Sequence, residues 1–155
     1  MPGYFLDTSA LSKHYHAEVG TANVDALFAQ VGQTHGAQLY ISRLAVVEYR
    51  SALAKKVRGN LLTEAAYQHL CSLFEADIAQ RIIGVGRIRE SHFQQASALI
   101  EKHALTQNLR TLDAIQLAVA LSAYRQGLVN HFVCADKALC SIAQTEGLAI
   151  INPVP

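Results

Sequence analysis

The chain has 155 residues, of which 51% are hydrophobic and 16% are charged, and its formal net charge is +1. This length suits one domain with its own core, and the composition excludes an intrinsically disordered chain. The net charge gives no basic excess of the kind that marks many nucleic-acid-binding proteins. Basic residues do concentrate locally, at 43–58 and in the group Arg81, Arg87 and Arg89. Each group is either a solvated surface or a track for phosphates.

The three cysteines, Cys71, Cys134 and Cys140, form no Cys-x-x-Cys pair. An odd count without that spacing favours free thiols in a reducing compartment, and Cys134 and Cys140 are expected to pack as small hydrophobic residues. No basic segment followed by an apolar run stands at the N-terminus, and no apolar stretch approaches the length that spans a membrane. We therefore expect a cytoplasmic protein.

Hydrophobic periodicity, turn residues and helix caps predict an alternation of strands and helices. In chain order they are a strand at 4–6, helices at 8–16 and 19–31, a strand at 38–41, helices at 43–58 and 63–80, a strand at 81–85, helices at 90–105 and 111–126, a strand at 132–134, a helix at 137–144 and a strand at 148–151. Short apolar strands separated by helices predict an α/β fold with a parallel sheet covered on both faces. No repeat or linker interrupts the pattern, so residues 1–155 are expected to form a single domain.

Four acidic residues stand at positions where a fold of this kind can place functional side chains. Asp7 and Asp136 each follow a predicted strand, Asp113 lies in the first turn of an apolar helix, and Glu48 lies within a helix. Ligands of open parallel sheets bind beyond the carboxyl ends of the strands, so Asp7, Asp113 and Asp136 are expected to converge there. The alternative for each of these three aspartates is a helix cap without further function.

Glu48 is harder to explain as a structural residue. One turn away it meets Leu44, Ala45, Ser51 and Ala52, so it shares a helix face with small or apolar groups. A buried acid needs a partner or a metal ion, and a cluster of carboxylates selects hard ions such as Mg²⁺ or Mn²⁺. Ions of this kind activate water for attack on a phosphodiester.

The hydroxyl groups of Thr8 and Ser9 could assist at such a site. Other phosphate chemistries fit less well, because the chain has no Gly-rich phosphate loop ending in Lys-Ser/Thr and no Gly-x-Ser-x-Gly elbow.

The segments that carry the four acids, 5–11, 41–48, 109–118 and 132–139, together resemble the PIN-domain ribonucleases, specifically the VapC-type toxins of toxin–antitoxin pairs. The resemblance implies a three-layer α/β/α sandwich with a short parallel sheet and metal-dependent endonucleolytic cleavage of RNA. It implies Mg²⁺ or Mn²⁺ held chiefly by Asp7 and Asp113, with Glu48 and Asp136 completing the site. It also implies a homodimer and a small cognate antitoxin. Arg110 and Lys137 adjoin the acids and are candidate phosphate contacts.

Two positions depart from the family pattern. Cys134 stands where Thr or Ser is frequent, and Gln116 stands where His is frequent. Two further interpretations stay open: a PIN-fold nuclease for RNA processing without an antitoxin, and a non-catalytic module that binds RNA or protein. The helix at 63–80 and the early helices are the candidate surfaces for dimer and antitoxin contacts.

Overall fold

A computed structural model describes residues 2–155 and contains a five-stranded, all-parallel β-sheet. The order of the strands across the sheet is β3-β2-β1-β4-β5, so the chain starts in the middle and builds outward to both sides. The strands are β1 Gly3–Leu6, β2 Gln38–Ser42, β3 Ile83–Gly86, β4 His131–Val133 and β5 Ala149–Ile151.

Seven helices connect the strands within the described part of the chain. They are α1 Thr8–Tyr15, α2 Thr21–Gln33, α3 Arg43–Arg58, α4 Glu64–Ala79, α5 Glu90–His103, α6 Thr111–Arg125 and α7 Lys137–Thr145. Across residues 2–155, none of them combines the length and the apolar character needed to cross a membrane.

The hydrophobic core is divided by the sheet into two clusters. Successive side chains of a strand point to opposite faces, and in β1 Phe5 packs into one cluster while Tyr4 and Leu6 pack into the other. The first cluster is formed mainly with α5, α6 and α7, and the second with α1, α2, α3 and α4. The predicted α/β fold with a parallel sheet covered on both faces is therefore confirmed.

Every predicted strand and helix is present, and the differences lie at the ends. The second helix begins at Thr21 because Gly20 has a φ of 95°, which no helical residue adopts. The strand predicted from Arg81 begins at Ile83, since Arg81 has a φ of 61° and Ile82 N–H donates to Asp77 O in the turn that ends α4. Both corrections arise from turn geometry that the hydrophobic pattern does not encode.

The central strands bring the ends of two distant segments together. β1 pairs with β4 so that Leu6 lies beside Val133, and Asp7 N–H continues the ladder by donating to Val133 O at 3.1 Å. The residues that follow these two strands therefore lie together at the carboxyl-terminal end of the sheet. Helices α1, α3, α6 and α7 also begin at this end.

Candidate functional site: a cluster of four carboxylates

Asp7 lies at the end of β1 and caps α1, so its carboxylate is fixed on several sides. Oδ1 accepts hydrogen bonds from Ala10 N at 2.9 Å and Ser9 Oγ at 2.7 Å, and Oδ2 accepts one from Cys134 Sγ at 3.2 Å. Ser9 Oγ is also 2.9 Å from Oδ2, so its single proton is shared between the two oxygens. Asp7 is only 6% exposed.

Burial of this carboxyl group raises the pKa of Asp7 from 3.8 to about 6. Hydrogen bonds from Ser9, Ala10 and Cys134 act in the opposite direction, while the negative charge of Asp113 raises the pKa further. Desolvation disfavours the ionised form, and the local donors only partly compensate for it. Asp7 is thus an acid whose negative charge is costly until a cation approaches.

Glu48 is held by a side chain from another helix. Gln116, in α6, donates from Nε2 to Glu48 Oε1 at 2.6 Å and to Thr8 Oγ1 at 2.8 Å. Burial raises the pKa of Glu48, the hydrogen bond from Gln116 lowers it, and the charge of Asp113 raises it again. Glu48, which the sequence singled out as an acid in need of a partner, has one in Gln116.

Gln116 itself is incompletely satisfied. It is 4% exposed, and its Oε1 is the one buried side-chain oxygen or nitrogen among residues 2–155 that has no hydrogen-bond partner. Native proteins rarely leave such an atom unpaired, so the position is open to a donor or a cation. In the sequence, Gln116 stands out only as a departure from the family pattern. Its three-residue spacing from Asp113 is the signal that places both on one side of α6.

Asp113 occupies the first turn of α6 and is less enclosed than Asp7. Its side chain is 26% exposed and lies 3.7 Å from Arg110 Nε, while the Arg110 side chain is 76% exposed. Burial raises the pKa of Asp113, the charge of Arg110 lowers it, and the charge of Asp136 raises it. A cleft of about 650 Å³ beside it is lined by Glu48, Arg110, Asp113 and five uncharged residues.

Asp136 caps α7, accepting a hydrogen bond from Leu139 N at 3.0 Å. Cys134 links this acid to Asp7, because its Sγ donates to Asp7 Oδ2 and lies 3.3 Å from Asp136 N–H, from which it can accept. Cys134 and Cys140 both pack in the hydrophobic core as expected, and the polar contacts of the Cys134 thiol are an addition that the sequence did not predict. Cys134 is fully buried, but its thiol takes the position of the hydroxyl group that the family pattern has there.

The four acids interact electrostatically as a chain with Asp113 at its centre. The charge of Asp113 acts on Asp7 and on Glu48, and the charge of Asp136 acts on Asp113. Ser9 and Thr8 contact the cluster through Asp7 and Gln116. Capping and clustering coexist at Asp7 and Asp136, so the two interpretations of these residues do not exclude each other.

Metal binding can be judged by the chemistry of these donors. Among residues 2–155, no three His, Cys, Asp or Glu side chains are arranged so that they could hold a metal ion as they stand. The donor set nevertheless fits a hard divalent cation, since it consists of carboxylate oxygens, and burial and repulsion between the acids raise the pKa of Asp7, Glu48 and Asp113.

Comparison with known families identifies the chain. The family model of the PIN domain matches residues 4–143. The chain belongs to the PIN-domain family. PIN domains are typically nucleases and commonly use divalent metal ions. No curated protein sequence matches the chain.

Several solved structures align with nearly the whole chain. VapC20 of Mycobacterium tuberculosis, a toxin that cleaves the sarcin–ricin loop, aligns with a TM-score of 0.68 and 16% identity over 97% of this chain and 99% of its own. VapBC2 of Rickettsia felis, bound to a promoter DNA fragment, aligns with a TM-score of 0.64 and 12% identity over 97% and 98%. FitAcB of Neisseria gonorrhoeae aligns with a TM-score of 0.60 and 20% identity over 97% of each chain. At these identities the likeness establishes the fold alone.

Proposed function

We propose that this PIN protein is a metal-dependent endoribonuclease and acts as the toxin of a toxin–antitoxin pair. The observation that carries the proposal is the electrostatic chain of Asp7, Glu48, Asp113 and Asp136 at the carboxyl edge of the sheet. Binding of a cation would relieve the repulsion and the desolvation cost that raise the pKa values of three of them. We also propose that residues 1–155 act as one nuclease domain.

Mg²⁺ or Mn²⁺ bound here would polarise the scissile phosphodiester and lower the pKa of the attacking water. Asp7 and Asp113 would be its main ligands, with Glu48 and Asp136 binding directly or through water. Ser9 and Cys134 hold the carboxylate of Asp7 in place, and Gln116 keeps Glu48 oriented in its ionised form. The cleft beside Glu48 and Asp113 gives an RNA strand access to the acids.

Arg110 and Lys137 would contact phosphate groups of the RNA. Both side chains are exposed. Arg110 immediately precedes α6, which carries Asp113, and Lys137 is the first residue of α7, which Asp136 caps. Guanidinium and ammonium groups in these positions would hold the backbone without reading its sequence.

A cognate antitoxin, a homodimer and a cytoplasmic location complete the proposal. Support for the antitoxin comes from the structural neighbours, which include a toxin–antitoxin complex of Klebsiella pneumoniae with a TM-score of 0.58 and 15% identity over 97% of each chain. An antitoxin that inserts a basic side chain among the carboxylates would replace the charge of the metal ion. Such a complex should bind Mg²⁺ more weakly than the free protein, and an unchanged Mg²⁺ affinity would contradict this part of the proposal.

The decisive experiment is cleavage of purified total RNA by the isolated protein with Mg²⁺, with Mn²⁺ and with a chelator. We expect cutting at discrete sites that needs the metal ion and is abolished by Asp7→Asn. Asp25→Asn is the matched control, because Asp25 is exposed and pairs only with His14, outside the cluster.

Three results would contradict the proposal: cleavage in the chelator, wild-type cleavage by Asp7→Asn, or a folded protein that neither cuts RNA nor binds Mg²⁺. The last result would favour a non-catalytic binding module. Metal-dependent cleavage that occurs without any toxic effect on growing cells would instead favour a nuclease of RNA processing.

A further inference from the structure

A second polar cavity lies away from the four acids, between the sheet and helices α5 and α6. It has a volume of about 330 Å³, at the small end of the range for ligand pockets. None of the four acids lines it, and no other Asp or Glu does. Its polar walls are formed by Arg87, Arg89, Ser91, His92, Ser122 and Gln126.

The charge of this cavity is positive and uncompensated. Arg87 and Arg89 are both exposed at the segment that leads from β3 into α5, and neither forms an ion pair within residues 2–155. The acid nearest in sequence, Glu90, is exposed and does not line the cavity. Two guanidinium groups without carboxylate partners can both donate hydrogen bonds to a bound anion.

His92 supplies a further donor from the wall of the cavity. It is 6% exposed, and its Nδ1 accepts a hydrogen bond from Arg89 N–H at 2.9 Å. The neutral ring therefore carries its proton on Nε2. Nε2 bonds to no other described residue and is not sealed from solvent, and His92 lines the cavity.

His92 also lies near the positive charges of Arg89 and Arg125. Burial lowers the pKa of His92, and the charges of Arg89 and Arg125 lower it further. The neutral ring can still donate a hydrogen bond from Nε2 to an anion in the cavity.

Helix α6 connects this cavity to the carboxylate cluster. Asp113, Gln116, Val119 and Ala123 follow one another at three- and four-residue spacing, which places them along one stripe of the helix. The first two belong to the cluster, and the last two line the cavity. Ten residues separate Asp113 from Ala123, a rise of about 15 Å along the helix axis.

We propose that this cavity is a binding site for a phosphate ester, held by the side chains of Arg87 and Arg89 and by Nε2–H of His92. The cavity is distinct from the metal site of the proposed nuclease and does not depend on it. Two sources of the same chemistry fit: a free nucleotide, or a phosphate of the RNA backbone a few nucleotides away from the cleavage site.

Binding of small phosphates tests the site directly. Adenosine monophosphate and inorganic pyrophosphate would be titrated into the protein in the presence of a chelator, so that no metal ion can bridge the probe to the acids. We expect saturable binding, with shifts in the NMR signals of the Ser91 and Ser122 amides and of the His92 ring. Arg87→Gln and Arg89→Gln should each weaken binding at least fivefold.

Arg81→Gln is the matched control, because Arg81 is an exposed arginine at the opposite end of β3 and does not line the cavity. It should leave the affinity for both probes unchanged. Equal thermal melting of all three variants and the wild type would show that the substitutions have not disturbed the fold.

A second arm identifies the source of the phosphate. Single-stranded RNA would be bound to the Asp7→Asn variant, with and without each arginine substitution. If the cavity serves the RNA, Arg87→Gln and Arg89→Gln should each reduce the slope of log affinity against log salt by about 0.7, as expected for one lost phosphate contact. If it serves a free nucleotide, RNA binding stays the same while binding of the small probes is lost.

The proposal is overturned if neither small probe binds the wild-type protein and RNA affinity is unaffected by both substitutions. It is also overturned if Arg81→Gln weakens binding as much as Arg87→Gln does, since the effect would then be one of net charge. Metal-dependent RNA cleavage would stand after either result, so a failure here leaves the proposed nuclease function untouched.

Discussion

Asp7 and Asp113 carry the same charge and belong to the same cluster, but the fold surrounds them differently. Asp7 is 6% exposed and accepts hydrogen bonds from Ser9, Ala10 and Cys134. The side chain of Asp113 is 26% exposed, and its Oδ2 lies 3.7 Å from Nε of Arg110. Asp7 is thus fixed by the protein, whereas Asp113 lines an open cleft.

In the proposed nuclease, this contrast would give the two ends of the site different tasks. A carboxylate held by several internal donors cannot turn toward a substrate, so Asp7 suits a permanent anchor for a cation. Asp113 interacts with Asp7, Glu48 and Asp136 and also lines the cleft, so it suits the contact between the anchored ion and the RNA. The carboxylate that the protein holds in place, Asp7, lies where β1 ends, and the carboxylate that lines the open cleft, Asp113, lies where α6 begins.

The largest expected effect is that of Asp7→Asn, which should abolish cleavage and yet stabilise the metal-free fold. The pKa of Asp7 is raised from 3.8 to about 6, which corresponds to a cost of roughly 3 kcal/mol when the group is ionised in the folded state. Because the folded state binds this proton more tightly than the unfolded state, the free energy of unfolding falls as pH rises from about 4 to about 6. Asparagine cannot ionise and still caps the helix.

Chemical denaturation in a chelator measures this effect. At pH 7.5 Asp7→Asn should exceed the wild type by about 1–2 kcal/mol, since the loss of one acceptor for Ser9 and Cys134 offsets part of the gain. The difference should shrink toward pH 4. Asp113→Asn should give a smaller gain because its carboxyl group is less buried, and a larger gain at Asp113 than at Asp7 would contradict the comparison.

The next effect concerns Gln116, which reaches both parts of the cluster. Gln116→Met keeps the length of the side chain but removes the donor to Glu48 and Thr8. We expect cleavage to fall roughly 10- to 100-fold and Mg²⁺ affinity to weaken, because the pKa of Glu48 rises without this hydrogen bond. Steady-state cleavage of a defined RNA and calorimetric Mg²⁺ titration check the two effects.

Stability separates a positioning role of Gln116 from a merely structural one. The methionine also removes the unpaired Oε1, so the free energy of unfolding should stay within about 1 kcal/mol of the wild type. Gln144→Met, at an exposed position near the end of α7 that lines neither the cleft nor the cavity, is the control and should leave both cleavage and Mg²⁺ affinity unchanged. Full activity in Gln116→Met would remove Gln116 from the site.

The sequence was sufficient for the fold because its signals are local and consistent. The helix caps are one such signal. A backbone N–H in the first turn of the following helix donates a hydrogen bond to the side chain of Ser42, Thr63 or Asp136 in each case. The apolar run around β1 alternates between the two faces of the sheet as a strand requires. Left-handed residues such as Arg81 were the exceptions, because an arginine in this conformation has no sequence signature.

The acids were also accessible from the sequence, but the side chains that hold them were not. An aspartate after a strand has few places to lie in a parallel sheet. The amide of Gln116 and the thiol of Cys134 gain their roles only through contacts with residues 68 and 127 positions away. The three-residue spacing of Gln116 from Asp113 places both on one side of α6. The partners of the Gln116 amide and the Cys134 thiol, however, depend on how the helices pack, and nothing along the chain identifies them.

The smallest expected effect tests the contact of Cys134 with Asp7. Cys134→Ala removes a donor that lowers the pKa of Asp7, so the titration midpoint of the Asp7 carboxyl in a chelator should move above about 6. Cleavage should fall several-fold, since a less acidic Asp7 binds a cation more weakly at neutral pH.

Cys134→Ser is the matched control, because a hydroxyl group donates to the same oxygen and can still accept from Asp136 N–H. Its midpoint should lie at or below that of the wild type, and its activity should stay within about twofold. Carbon NMR of the Asp7 carboxyl in all three proteins decides the matter. Equal midpoints in the Ala and Ser variants would mean that Cys134 only fills space, and that Ser9 and Ala10 alone hold the anchor of the site.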